Sequence, residues 1–232
     1  MPFQFKHFSV DDLQSTQRVG TDAMLLGAWA DAPISTRILD IGTGCGVLAL
    51  MLAQKTSAKI DAIDIDESSV AEASANFHNS AWNNRLSAFC ISLQAFSRQL
   101  SLYDYIITNP PFFSSSLPSP DKRRSYARHD DRLPMQELIR AVATLLSPVG
   151  RFALILPVKE SDSFIQQAYQ ASLYLLRKTT VFPKRHSPPK RVLMEFGRTS
   201  RDVIAGNELI ILESDGSFSS EYLTLTADFH NF

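Results

Sequence analysis

Five short apolar runs mark out the first two thirds of the chain: RILDIG (37–42), AKIDAIDID (58–66), RLSAFCI (85–91), YDYIITN (103–109) and RFALILP (151–157). Each is bounded by turn-forming residues and lacks strict alternation, the pattern of strands buried on both faces. Between them VLALMLAQ (47–54), SSVAEASANFHNS (68–80) and MQELIRAVATLL (135–146) carry apolar residues three and four apart. That spacing predicts helices with one face on a core, the last of them stopped by SPVG (147–150). Strand and helix patterns that alternate in this way predict a mostly parallel, doubly wound α/β sheet.

Beyond residue 158 the pattern predicts a helix around SDSFIQQAYQAS (161–172), then strands over YLLRKTTVF (174–182) and RVLMEFG (191–197). PKRHSPPK (183–190) joins these two, which are expected to pair antiparallel at a sheet edge. ELIILESDGSFSSEYLTLT (208–226) reads as two strand-like pieces about a turn at Asp215-Gly216. The polar stretch 114–134 reads as a long loop inside a compact domain, a feature that is usually functional or mobile. No internal repeat or low-complexity tract interrupts the pattern.

Composition narrows the class. The 232 residues suit one large domain, with 1–35 as an N-terminal segment, 36–200 as the sheet core and 201–232 as a C-terminal extension. Hydrophobic residues at 44% and charged residues at 20% are those of a soluble globular chain. No apolar run approaches the roughly 20 residues that cross a bilayer, and the N-terminus has no basic-then-apolar leader, so the cytoplasm is expected. Cys45 and Cys90, in a glycine-rich turn and in an expected buried strand, read as free thiols. The net charge of -1 exerts no global pull on nucleic acid. The histidines at 7, 78, 129, 186 and 230 have no metal-ligand spacing, and neither G-x-S-x-G nor H-E-x-x-H occurs, so metal and nucleophilic hydrolase chemistry fall away.

The chemistry concentrates at strand ends. Asp40 closes the first run, and Gly42, Gly44 and Gly46 open the following helix, where a backbone without Cβ atoms can turn tightly and approach a ligand. A dinucleotide fingerprint requires a small residue where this chain has Val47, which disfavours NAD. The pattern D-x-G-x-G-x-G instead resembles the cofactor loop of class I methyltransferases, which bind S-adenosylmethionine. Asp64, 22 residues after Gly42, stands near the offset at which an acid meets ribose hydroxyls, and Asp66 reads as the N-cap of the next helix. In the same resemblance an acid after the third strand contacts the cofactor adenine; the matching residue here is Gln94, a neutral departure that still offers a carbonyl oxygen.

Asn109-Pro110-Pro111-Phe112, at the end of the fourth run, resembles the (N/D/S)-P-P-(Y/F/W) motif of methyltransferases that act on planar nitrogen. The resemblance implies that Asn109 and the Pro110 carbonyl accept the protons of an exocyclic amine, that Asn109 also borders the cofactor, and that a base stacks on Phe112. FKHFSVDDLQSTQRVGTDAMLLGAWA (5–30), ARHDDRLPMQELIRAVATLLSPVGRFALILP (127–157) and PPKRVLMEF (188–196) are similar to the bacterial methyltransferases that make N6-methyladenine at position 37 of valine tRNA. Membership of that family implies a seven-stranded class I sheet, an N-terminal extension that closes over the cofactor with Thr21 as a contact, and tRNA as partner. Read from the residues alone, TDAMLLGAWA (21–30) is equally a core-packed helix.

Six Lys or Arg residues and no acid lie between Arg177 and Arg191, and KRRSYAR (122–128) adds four more. Arg123, Arg124, Lys184, Arg185, Lys190 and Arg191 are therefore candidate phosphate contacts. The same chemistry on rRNA guanine N2, DNA adenine N6 or a protein glutamine amide is the alternative reading, and a noncatalytic cofactor-binding module is another.

Overall fold

The computed structural model describes residues 2–16, 18–32, 35–99, 101–110, 133–200 and 204–230. A short antiparallel pair, β1 (Phe3–Gln4) and β2 (Ser9–Val10), leads into helix α1 (Thr21–Trp29). There follow β3 (Arg37–Ile41), α2 (Val47–Lys55), β4 (Lys59–Asp64), α3 (Glu67–His78), β5 (Leu86–Cys90), α4 (Leu93–Phe96) and β6 (Tyr103–Thr108). After the interval to residue 133 come α5 (Met135–Leu145), β7 (Leu146–Pro157), α6 (Val158–Gln170), β8 (Tyr174–Lys184), β9 (Arg191–Gly197), β10 (Ile204–Leu212) and α7 (Ser220–Thr226).

The main sheet has the order β10-β8-β9-β7-β6-β3-β4-β5. Every neighbouring pair is parallel except those made by β9, which runs antiparallel to both β7 and β8. The expected doubly wound sheet and the antiparallel β8–β9 hairpin are both present, but the sheet has eight strands, not seven, because β10 adds itself parallel to β8. The second of the two expected C-terminal strands is instead α7. Ser219 caps it by accepting from the Tyr222 N–H at 3.0 Å, and Tyr222 and Thr226, four apart, turn inward together. Of that expected hairpin only one bridge, Leu212 to Phe218, remains.

SPVG does not separate helix from strand. The helix ends at Leu145, and β7 takes up residues 146–150 with a register shift against β6 between Tyr103 and Tyr105. Cys90 corrects another expectation: β5 is the edge strand with only β4 beside it, and Cys90 is exposed, whereas Cys45 is buried and its thiol is pushed up to about 12 by burial.

Helices cover both faces. On one side Leu25, Leu26, Leu50, Met51 and Phe77 from α1, α2 and α3 pack against Ile38, Ile60 and Ile107. On the other, Phe96, Leu138, Val142 and Phe164 from α4, α5 and α6 pack against Leu39, Ile106, Phe152 and Phe196. Each such side chain, taken fully from water, contributes about 1.5–3 kcal/mol. Because the strands are parallel, the carboxyl ends of β3, β4, β6, β7 and β8 share one edge, and β9 begins there; ligands of such sheets bind along this edge.

Candidate active site

Register aligns the candidate residues. Ile41 pairs with both Thr108 and Ile63, so Asn109, Gly42 and Asp64, one residue further on, leave their strands at the same level. Thr108 fastens this row by donating its hydroxyl to the Ile41 carbonyl at 2.7 Å. The first turn of the glycine loop is pinned by the Gly42 and Thr43 N–H groups, which donate to the Ile63 carbonyl at 2.9 and 3.0 Å.

Asp64 braces loop and helix together. One carboxylate oxygen accepts from Gly44 N–H at 2.9 Å and the other from Asp66 N–H at 3.0 Å, which leaves each oxygen a further lone pair for hydroxyl donors. Asp66 is the N-cap of α3, accepting from Ser69 N–H at 2.8 Å. Between these two acids stands Ile65, an apolar side chain 52% exposed. No motif singles out Ile65 in the sequence; its one signal there is an apolar residue between two strand-end acids.

Asp40 is fully buried. The Thr43 hydroxyl donates to its Oδ2 at 2.6 Å, while Oδ1 has no hydrogen-bond partner. Burial pushes its pKa up to about 7 and the charge of Asp64 adds to the rise, against the lowering effect of the Thr43 bond. Asn109 presents a second orphan, since its side-chain oxygen is buried without a partner, and Pro110 behind it is buried. Buried acceptors left unpaired cost free energy, and two of them stand at this strand edge.

The glycines divide by purpose. A Cβ added at Gly42 or Gly44 would meet nothing within 4 Å, so both border open space beside the strand ends. At Gly46, with φ of 84°, a Cβ would lie 2.5 Å from the Phe77 ring of α3. Gly46→Ala is therefore expected to lower unfolding stability by about 2–4 kcal/mol, the sum of a left-handed backbone strain and overpacking. Urea denaturation checks this, with Gly42→Ala as the comparison that suffers strain without the clash.

The remaining candidates are placed unevenly. Thr21 is exposed at the start of α1, whose other residues from Ala23 to Trp29 are all buried, so the core-packed helix and the exposed threonine coexist. Gln94 is exposed on α4, and its amide nitrogen donates to Glu137 of α5, which sets a carboxylate beside the position where the resemblance expects an acid. Lys184, Arg185, Lys190 and Arg191 cluster where β8 passes into β9, at the carboxyl edge. Arg185 is engaged by both oxygens of Glu213 at 2.5 and 2.7 Å, and Arg191 by Asp22 at 2.8 Å, whereas Lys184 and Lys190 are exposed. Phe112, Arg123 and Arg124 lie outside the described residues. Among the described residues no group of three or more His, Cys, Asp or Glu is arranged to hold a metal, and no helix is long and apolar enough to cross a membrane.

The orphaned acceptors and the open cradle at Gly42 and Gly44 fit S-adenosylmethionine, a cation with hydrogen-bond donors on its amino acid and ribose ends. Comparison with known proteins agrees. The family model for the methyltransferase small domain matches residues 13–167. The chain is 41% identical over 230 residues to the tRNA1(Val) (adenine(37)-N6)-methyltransferase of Bacteroides fragilis, covering 98% of this chain and 97% of that one. It is 40% identical over 234 residues to the enzyme of the same name from Flavobacterium psychrophilum, covering 98% of each. Among solved structures, a "predicted O-methyltransferase, protein Atu636" from Agrobacterium tumefaciens superposes with TM-score 0.72 at 18% identity, covering 90% of this chain and 96% of that one. TrmN from Thermus thermophilus superposes with TM-score 0.55 at 20% identity, covering 76% and 48%. These two likenesses carry the fold alone. The full-length relatives carry more: this chain belongs to the tRNA1(Val) (adenine(37)-N6)-methyltransferase family.

Proposed function

We propose that the protein is an S-adenosylmethionine-dependent tRNA methyltransferase that acts on the exocyclic N6 amine of adenine 37 in valine tRNA, a substrate that places its work in the cytoplasm. The observation that carries the reading is the buried, unpartnered side-chain oxygen of Asn109, one residue beyond β6 and level with Gly42 and Asp64.

The cofactor supplies an electrophilic methyl group on a sulfonium. The acceptor amine is a poor nucleophile because its lone pair is delocalised into the purine ring, so the chain's task is to hold it in line and to satisfy its two N–H donors. Asn109 Oδ1 accepts one and the Pro110 carbonyl the other. Proline has a fixed φ and no N–H of its own, which keeps that carbonyl aimed. Methyl transfer would leave the nitrogen cationic until one of its protons passes to water, and two acceptors already in place would stabilise that charge without reorganising. Phe112 supplies a ring face for the base. Asp64 would accept from the ribose hydroxyls, Asp40 would face the cationic end of the cofactor, Ile65 and Gln94 would border its adenine, and Thr21 would approach from α1. An adenine in an anticodon loop is unstacked more cheaply than one in a duplex, which suits so small an enzyme.

The phosphate track is carried by lysines. With Arg185 and Arg191 committed to Glu213 and Asp22, the charges that face outward are Lys184 and Lys190, joined by exposed Lys159 in the first turn of α6, where Val158 N–H donates to the Lys190 carbonyl. Replacing Lys184 and Lys190 by glutamine is expected to weaken tRNA binding and to flatten the slope of log affinity against log salt by about 1.5–2. A binding series across salt concentrations reads this, and an unchanged slope would remove both from the track.

The function itself is tested by incubating the protein with methyl-labelled S-adenosylmethionine and tRNA from cells that lack this gene. Label recovered as N6-methyladenosine is the expected result; label only in DNA or protein would overturn the proposed acceptor.

A further inference from the structure

Helix α3 carries a polar face that is buried by the backbone of the N-terminal segment. Glu72 is 8% exposed, and its two carboxylate oxygens accept from Gln14 N–H at 2.9 Å and Ser15 N–H at 2.8 Å. Ser69, 0% exposed, accepts from Thr16 N–H at 3.2 Å, and the Ser68 hydroxyl, which donates chiefly to Asp66 Oδ2 at 2.5 Å, also lies 3.2 Å from the Gln14 carbonyl. One turn further along, Asn76, 3% exposed, accepts from Asp11 N–H at 2.9 Å and returns a bond to the Asp11 carbonyl at 2.8 Å. In each of these bonds the partner in the N-terminal segment is a main-chain group. They fix the main chain of residues 11–16 in one register along α3.

Asn76 does one thing more. Its Nδ2 also donates to the carbonyl of Cys45, at 2.9 Å, between Gly44 and Gly46. A single buried amide thus divides its two protons between the strap and the glycine loop. The strap then leads toward the site: Thr16 sits at the first turn of α3, and Thr21 opens α1, whose Asp22 is ion-paired to Arg191 at the start of β9. In the sheet β3, β6 and β7 lie between β4 and β9, so Thr16 and Asp22 are anchored at opposite ends of the edge that carries the glycine loop and Asn109.

We propose that Asn76 is a positioning residue for the cofactor, which makes the docking of residues 11–16 and the binding-competent form of loop 42–46 depend on each other. The inference rests on the reading of that loop as the S-adenosylmethionine site. Linkage makes the dependence reciprocal: the cofactor should hold the strap down, and loosening the strap should weaken the cofactor.

Hydrogen exchange on the wild-type protein tests the first half. Added S-adenosylmethionine is expected to slow exchange of the Asp11, Gln14, Ser15 and Thr16 amides by about tenfold. Two substitutions test the second half. Asn76→Asp keeps the shape and the acceptor for Asp11 N–H but turns an oxygen toward two carbonyls; Glu72→Gln weakens the strap without touching the loop. Asn76→Asp is expected to raise the Kd and KM for S-adenosylmethionine about tenfold and Glu72→Gln about threefold, the loss falling on KM for the cofactor rather than on kcat. Strap amides that exchange equally fast with and without bound cofactor, or a Glu72→Gln protein that binds it with wild-type affinity, would overturn the proposal even if Asn76→Asp fails to fold. A wild-type protein that does not bind S-adenosylmethionine at all would instead sink the functional reading beneath it.

Discussion

Asn109→Ala is expected to lower the rate of methyl transfer by about 100- to 1,000-fold while the Kd for S-adenosylmethionine changes by no more than about threefold. The asymmetry follows from where the oxygen stands. Asn109 Oδ1 is buried without a partner in the free protein, so its removal costs the fold no hydrogen bond. The strand end is held independently by the Thr108 hydroxyl on the Ile41 carbonyl, and the cofactor loop by Ile63 and Asp64. What disappears is an acceptor that gains strength as the amine becomes cationic, which is transition-state stabilisation and should appear in single-turnover rates. Asn109→Asp keeps an acceptor at the cost of a buried charge, and should fall between the two. An alanine variant that transfers methyl groups at a rate near wild type would assign the acceptor role to Pro110 alone.

Much of this site could be read along the chain because its signals are local. The apolar runs marked β3, β4, β6 and β7, the end of the second run put Asp64 beside the glycine loop, and a cap-forming acid ahead of a helical pattern marked Asp66. The losses came where the deciding contact is distant or the pattern is short. Arg185 and Arg191 read as free charge because their partners, Glu213 and Asp22, stand 28 and 169 residues away. Ser69, Glu72 and Asn76 drew no notice in the sequence, since polar residues on a helix usually face water, yet main-chain groups of residues 11–16 bury them. SSEYLTLT alternates well enough for a strand, and only the Ser219 cap and the inward pair Tyr222 and Thr226 decide for a helix. Cys90 was misread because a strand's apolar character does not reveal that the strand is an edge.

Asp40→Asn is expected to make the cofactor-free protein more stable at pH 8 and a poorer binder of S-adenosylmethionine. The carboxyl group's pKa is raised from 3.8 to about 7 on folding, chiefly by burial, so between these values the folded state holds a proton that the unfolded chain has released. Stability therefore falls as pH rises through that window, and above pH 7 the ionised, buried carboxylate costs up to about 4 kcal/mol, from about three pKa units at 1.36 kcal/mol each. An asparagine keeps the size and an acceptor for the Thr43 hydroxyl but has no charge to bury. A gain of about 2–4 kcal/mol at pH 8, shrinking toward zero near pH 4, should appear in urea denaturation at the two pH values. The binding loss has the same origin: a cation set against the unpartnered Oδ1 recovers the cost of that charge, which a neutral amide cannot do. Cofactor binding near pH 6.5 should accordingly draw a proton off Asp40, visible as a dependence of calorimetric binding heat on buffer ionisation enthalpy, and the asparagine variant should release none. A variant no more stable than wild type at pH 8 would mean that the free protein does not bury an ionised Asp40, and the carboxylate would lose its place as the loop's strained, cation-seeking group.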